Sequence, residues 1–298
     1  MKRFPSGLIK KLKARFCARG DHQQAQVDFF ETYSPIVQWS TVRMMLILEV
    51  LLGLKSKQGD ITAAFLHADL PENENVYVEM PKGFEQKGKV LKLKKTLYGL
   101  RQSPRAFWLY LTEKLQANGM KQSELDPCLF IGEKVICIVY VDDLLFWARD
   151  ETDINELAFG LRDLGVDLEE EHDAAGFLGV DLIPDPDTNK LEMRQDGLID
   201  RCIEAVGLDN ATVRDTPCRP NMPLVRDDEG EPALGDFNYA SVVGMLMYVA
   251  AHTRPDIAYA VNCCGWYMFN PKRSQHEEAV KRIVRYLKAT RDRSRNDL

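Results

Sequence analysis

The chain has 298 residues, 45% hydrophobic and 28% charged, with 39 Lys plus Arg against 45 Asp plus Glu for a formal charge of −6. That length predicts about two domains with a sizeable core, and the composition excludes disordered, collagen-like and low-complexity classes. No apolar run reaches the ~18 residues that a membrane span needs.

In chain order, Met1 to Gly7 place Pro5 and Gly7 where a secretory signal needs an apolar core, which predicts an intracellular chain. Ser40-Thr41 followed by Val42 to Leu48 predicts a capped, buried helix stopped at Gly53. Asn75 to Met80 and Lys89 to Lys94 alternate apolar and polar residues at the strand period. Ser103-Pro104 starts a helix that runs toward Gly119. Val135 to Val141, then Asp142-Asp143, then Leu144 to Ala148 predict a hairpin with both strands buried and two acids at its turn. A helix follows near 151–164, and prolines and glycines over 217–235 predict a linker. Beyond it two helices are expected, the second opening with a capping box from Ser274 to Glu277. The class is α+β. Seven cysteines scattered at 17, 128, 137, 202, 218, 263 and 264 predict reduced thiols with no disulfide framework or zinc site. Gly83 to Val90 nearly spells a phosphate-binding loop, but Val90 replaces the required Ser or Thr, and a strand pattern follows where a helix should.

Net charge alone argues against a nucleic-acid partner, yet the charge is segregated. Residues 1–20 carry +7, residues 82–105 carry +7 and residues 272–298 carry +5, whereas residues 150–187 carry −12. Basic blocks of this kind suit a polyanion, because neutralising phosphates supplies most non-specific affinity. The expected geometry has the +7 blocks at 1–20 and 82–105 lining a cleft and the acidic block facing away from it.

The Asp142-Asp143 pair is the sharpest chemical signal. Two adjacent carboxylates between apolar strands repel each other and are costly to desolvate, and a hard divalent cation relieves both costs. Asp60, ahead of Ile61 to Leu66, is a second acid in a similar setting.

Tyr140-Val141-Asp142-Asp143 resembles the Tyr-x-Asp-Asp signature of reverse transcriptases. Further stretches resemble the copia-type retrotransposon branch in the same order: Lys13 to Gly20, Glu31 to Val37, Gln58 to Leu66, Leu97 to Arg105, Phe177 to Gly179 and Arg254 to Val261. The resemblance covers about residues 10–290. It implies a right-hand polymerase fold, with fingers, palm and the start of a thumb over 1–216. A linker and helical, connection-like segment would occupy 217–298, without a ribonuclease H domain.

The same resemblance implies an RNA-directed DNA polymerase, a nucleotidyltransferase extending a primer by two-metal phosphoryl transfer. Asp60, Asp142 and Asp143 would hold two Mg²⁺ ions, with Mn²⁺ as a substitute, and Ile61 would lend a backbone carbonyl. Phe65 stands at the position of the family's steric gate against ribonucleotides. Tyr98 and Gly99 fall where the incoming deoxynucleoside triphosphate is contacted. Lys13 and Arg15 resemble the finger residues that clamp the triphosphate, with the choice between them open. Gln102, Ser103 and Pro104 lie by the template, and Leu178-Gly179 resembles the turn that grips the primer terminus. The partners implied are an RNA or DNA template with its primer, and no membrane. The location implied is cytoplasmic element particles with a nuclear stage. The chain's two ends suggest a fragment, so the alternative is a catalytically silent nucleic-acid-binding remnant. A third, weaker reading is an interaction role for 217–298.

Overall fold

The computed structural model describes all residues except 1, 4–8, 12–14, 172–175, 186–189, 221–222 and 292–298. The chain divides into two compact units, residues 1–174 and 175–298.

Among the described residues, the first unit is built on a six-stranded antiparallel sheet. Its strands are β1 (Lys55–Ile61), β2 (Lys121–Gln122), β3 (Leu129–Ile131), β4 (Val135–Tyr140), β5 (Asp143–Ala148) and β6 (Leu168–Glu171), arranged β6-β1-β5-β4-β3-β2. The central strands β4 and β5 are apolar on both faces because both faces are covered. On one, Ile61, Cys137, Val139, Leu144 and Phe146 meet Phe107, Leu111 and Leu115 of α2 (Ser103–Ala117) and Ile154, Leu157 and Leu161 of α3 (Glu151–Asp163). On the other lie buried Ile138, Leu145 and Trp147. There Glu49 of α1 (Trp39–Leu52) accepts hydrogen bonds from the Trp147 indole and the Ser56 hydroxyl, both at 2.7 Å.

Local signals explain most helix ends. Gly53 closes α1 in the left-handed region at φ +62°, Pro104 opens α2, and the Asp150 carboxylate caps α3 by accepting the Thr152 N–H. The start of α1 differs from expectation. Asp126, 85 residues downstream of Thr41, accepts the Thr41 hydroxyl at 2.6 Å and the Gln38 N–H at 3.1 Å. A remote carboxylate thus performs the capping that Ser40 was expected to supply.

The second unit combines a small antiparallel sheet, β7 (Gly176–Phe177), β8 (Val180–Asp185) and β9 (Lys190–Arg194), with helices α4 (Asp196–Val206), α5 (Tyr239–His252), α6 (Ala258–Gly265) and α7 (Glu278–Ala289). Ile199, Cys202 and Ile203 of α4 share one core with Val242, Leu246 and Val249 of α5 and with Ile283 and Leu287 of α7. The unit boundary therefore falls well ahead of the expected 216/217 division. The described residues of 217–235 belong to the second unit and lie outside its helices and sheet, pinned by the Tyr267 hydroxyl to the Leu224 carbonyl (3.0 Å) and by His276 Nε2 to the Val225 carbonyl (3.1 Å).

The expected capping box does not form. Both His276 and Glu277 N–H donate to the Lys272 carbonyl, which widens Arg273–Glu277 into a π turn, and α7 begins at Glu278. His276 Nδ1 accepts the Lys272 N–H at 2.8 Å. Glu277 is fully buried, and its carboxylate oxygens have no partner among the described residues.

Candidate active site

The hairpin from β4 to β5 turns in two residues, Val141 and Asp142, closed by the Tyr140–Asp143 pair. Val141 sits at φ +53°, a conformation that a β-branched residue rarely adopts and that costs about 1–3 kcal/mol. A glycine there would remove the strain. The surrounding sheet holds Val141 in place and thereby sets the direction of Asp142.

On its other side β5 pairs with β1, which puts Asp60 directly opposite Asp143, and the Ile61 N–H donates to the Asp142 carbonyl at 2.8 Å. Directly opposed residues of antiparallel strands share a face. Asp60 and Asp143 are therefore neighbours on one face, with Asp142 at the adjoining turn, and all three are half-buried. Ile61 points to the opposite, core face and is buried against Leu168. One acid was missed. Glu169 of β6 pairs with Asp60 across the other edge of β1 and is exposed. The row thus reads Glu169, Asp60, Asp143. This corrects the expected charge geometry: part of the acidic 150–187 block lies beside Asp60 instead of facing away. The Glu169-Glu170-Glu171 run hid the strand because it lacks apolar alternation.

An aromatic shelf adjoins the carboxylates. The chain leaves β1 into a short 3-10 turn, Ala64–Leu66. There the Phe65 ring meets Tyr98 edge-on at 4.9 Å and Phe107 at 6.0 Å. The Arg15 guanidinium lies over the Tyr98 ring at 5.0 Å. Burial pushes the Tyr98 phenol above its ordinary range; Arg15 opposes this, while Asp142 and Asp60 add to it. Tyr98 is therefore within electrostatic reach of all three. Lys13, expected beside Arg15, lies outside the described residues.

Gly99 is at φ +92°, and a Cβ added there would stand 2.2 Å from the Ala18 carbonyl oxygen. A Cβ on Gly20 would in turn meet the Gly99 carbonyl oxygen at 2.0 Å, and the Ala18 N–H donates to the Tyr98 carbonyl at 2.7 Å. This close backbone crossing holds the segment bearing Arg15 against Tyr98. Gly99→Ala is expected to destabilise the fold by about 1–3 kcal/mol from φ alone, with the clash adding to that. Gly165→Ala, at φ +86° with open space around it, carries only the first penalty. Urea unfolding of the two variants separates the terms, and equal losses would show that the crossing is unimportant.

The structure places the side chains of Gln102 and Ser103 inside the turn ahead of α2. Gln102 is buried, donating to Glu74 Oε2 (2.9 Å) and the Asp28 carbonyl (3.2 Å) and accepting from Gln23 Nε2 (3.1 Å). The fully buried Ser103 donates to the Leu97 carbonyl at 2.7 Å. Both side chains are consumed in fixing the turn ahead of α2, leaving half-buried Pro104 nearer the surface. In the second unit, Leu178 (φ +55°) and Gly179 (φ +73°) form a two-residue turn between β7 and β8. The Tyr248 hydroxyl donates to the Leu178 carbonyl at 2.6 Å, and Gln195 Nε2 to the Gly179 carbonyl at 3.3 Å.

With that geometry in place, comparison with known proteins is decisive. The family described as reverse transcriptase (RNA-dependent DNA polymerase) matches residues 6–220. The chain belongs to the reverse transcriptase family. Within it the chain resembles copia-type retrotransposons. It is 34% identical to the retrovirus-related Pol polyprotein of transposon TNT 1-94 from Nicotiana tabacum, over 95% of this chain and 22% of that protein. It is also 34% identical to the corresponding polyprotein of transposon RE1 from Arabidopsis thaliana, over 95% of this chain and 19% of that one. The chain thus spans about a fifth of the length of these relatives. A foamy viral protease–reverse transcriptase, solved in complex with double-stranded DNA, matches at 12% identity and a TM-score of 0.45, over 80% of this chain and 35% of that one. The antiparallel sheet with its helices agrees with the α+β fold expected of a reverse transcriptase. No described helix is long and apolar enough to cross a membrane.

Asp60, Asp142 and Asp143 offer an all-oxygen donor set, which suits Mg²⁺ or Mn²⁺ over softer metals. Among the described residues no three acidic, Cys or His side chains are already gathered around one point.

Proposed function

We propose that this chain carries the centre for RNA-directed DNA synthesis, adding deoxynucleotides to a primer paired with an RNA or DNA template. The observation that supports it best is the carboxylate row. Asp60 stands across the strand pair from Asp143 with Asp142 at the adjoining turn, and the Phe65–Tyr98 shelf and Arg15 stand alongside. Like charges opposed in a sheet are destabilising, so their retention at the exposed end of buried strands points to chemistry.

In this reading Asp60, Asp142, Asp143 and the Ile61 carbonyl would hold two Mg²⁺ ions. Those ions would supply Lewis-acid stabilisation of the attacking and leaving oxygens. Arg15, with Lys13 as the second candidate, neutralises triphosphate charge. Phe65, braced by Tyr98 and Phe107, crowds the sugar 2′ position, and Tyr98 and Gly99 shape the floor beneath the nucleotide. Gln102 and Ser103 hold the turn that presents Pro104 to the template, and Leu178-Gly179 grips the primer end. Because phosphoryl transfer depends on positioning and charge neutralisation, each residue acts by placement.

Purified protein is expected to extend a DNA primer on an RNA template with Mg²⁺ and deoxynucleoside triphosphates. Extension should vanish with a chelator or with Asp142→Asn plus Asp143→Asn. Undiminished extension by the double variant would overturn the reading. Salt-sensitive binding of template–primer by the wild type without incorporation would identify a silent binding remnant instead.

A further inference from the structure

The second unit holds a cavity of about 720 Å³, remote in sequence from the carboxylate row, between α6, α7 and residues 214–220 and 223–225. Four arginines line it, Arg214, Arg219, Arg282 and Arg285, against a single carboxylate, Glu278. Arg282 and Arg285 are three apart on α7, hence on one helix face. Arg285 Nε is buried and has no hydrogen-bond partner among the described residues, and its nearest carboxylate contact is a long 3.9 Å to Glu278. A buried guanidinium N–H without an acceptor is costly. Neither Arg214 nor Arg219 has an ion-pair partner among the described residues.

The cavity is also braced. Arg282 donates through Nε and Nη2 to the Thr216 carbonyl (3.1 Å) and hydroxyl (2.7 Å). The Arg214 N–H reaches the Arg285 carbonyl at 3.4 Å. At the far end the loop is held by Tyr267 and His276. The remaining wall sets apolar Pro217, Leu224 and Ile283 beside polar Ser274 and Gln275, and it includes the exposed ring of Tyr259.

We propose that this cavity binds a nucleotide-type anion, its phosphate on the arginines and its base against Tyr259 and the apolar wall. Arginine forks match phosphate oxygens in pairs, and the volume is that of a site for a small organic ligand. Inorganic phosphate would leave most of the space and the whole apolar wall unused. The ligand could arrive as a free nucleotide or as the 5′-phosphorylated end of a strand, which share this chemistry. The site is independent of the polymerase reading, since it contains none of the three aspartates and calls for no metal.

The test is equilibrium binding to the whole chain in excess chelator, with ADP, inorganic phosphate and a 5′-phosphorylated DNA hexanucleotide as probes. Saturable ADP binding is expected, unchanged by Asp142→Asn and weakened about ten-fold or more by Arg282→Gln plus Arg285→Gln. Should that pair fail to fold, Arg214→Gln plus Arg219→Gln, both exposed, should weaken it about three-fold or more. Hexanucleotide binding that ADP displaces would assign the site to strand ends, and ADP binding alone to free nucleotides. No saturable binding in chelator, binding indifferent to both arginine pairs, or inorganic phosphate binding as tightly as ADP would overturn the proposal.

Discussion

Asp60→Asn should slow nucleotide incorporation by about 10²–10³-fold, some 3–4 kcal/mol of barrier, without destabilising the fold. On the proposed reading the kinetic loss follows from removing one of the three carboxylates that would hold the Mg²⁺ ions, whose charge would offset that developing on the phosphate. The stability effect has the opposite sign. Asp60 lies between Asp143 and Glu169 in one cross-strand row, so removing its charge relieves repulsion on both sides, worth about 0.2–1 kcal/mol. Single-turnover extension and urea unfolding on the same preparation check both halves. A structural acid would behave otherwise, losing stability while leaving the rate of the folded fraction unchanged. That outcome would remove Asp60 from the site.

Arg254→Ala should cost about 3–5 kcal/mol, the penalty for stripping one partner from a buried ion pair. Arg254 is 1% exposed and donates Nε and Nη2 to the two Asp256 oxygens at 3.0 and 2.7 Å. It also donates to the Thr290 carbonyl and hydroxyl at 2.8 and 2.6 Å, and its guanidinium lies over the Tyr286 ring. The Tyr286 hydroxyl completes the cluster by donating to Asp256 at 2.6 Å. Burial pushes the Asp256 carboxyl up, but the hydrogen bonds from Arg254 and Tyr286 outweigh it and leave the group below its ordinary value. A depressed carboxyl stabilises the fold at pH above its unfolded value, about 3.9, and that contribution is lost as pH falls through the folded value. The gap between wild type and Arg254→Ala should therefore be full at neutral pH and narrow in acid. Arg226→Ala breaks an exposed pair with Asp228 and should change nothing measurable. The two variants losing equal stability would contradict the buried-pair account. The Arg254-Pro255-Asp256 motif, read in the sequence as part of a family pattern, is in this structure a clamp joining the start of α6 to the end of α7.

Elements were legible where the signal was local. Val135 to Ala148 announced a buried hairpin because both strands are apolar and two acids interrupt them at the turn. Pro104 and Gly53 marked helix ends because each acts within one turn of its own position. Sequence polarity misled where partners are distant. Nothing near Gln102 in the sequence signals its burial, because Gln23, Asp28 and Glu74 converge on it from segments up to 79 residues away. The proline-rich stretch looked like a linker because nothing local reveals that Tyr267 and His276 will hold it down.

By itself the sequence determined the chemistry available: three aspartates in a recognisable order, an aromatic at 65, and thiols spread too widely for a framework. Those follow from residue identity and short-range spacing. Only the tertiary structure decided which acids are neighbours. Strand register places Asp60 between Asp143 and Glu169, and register is set by which side chains fill the core on the opposite face. It likewise decided that the arginines of 214–219 and of α7 share one cavity. The net charge of −6 could indicate neither, because charge acts through distance and composition contains none.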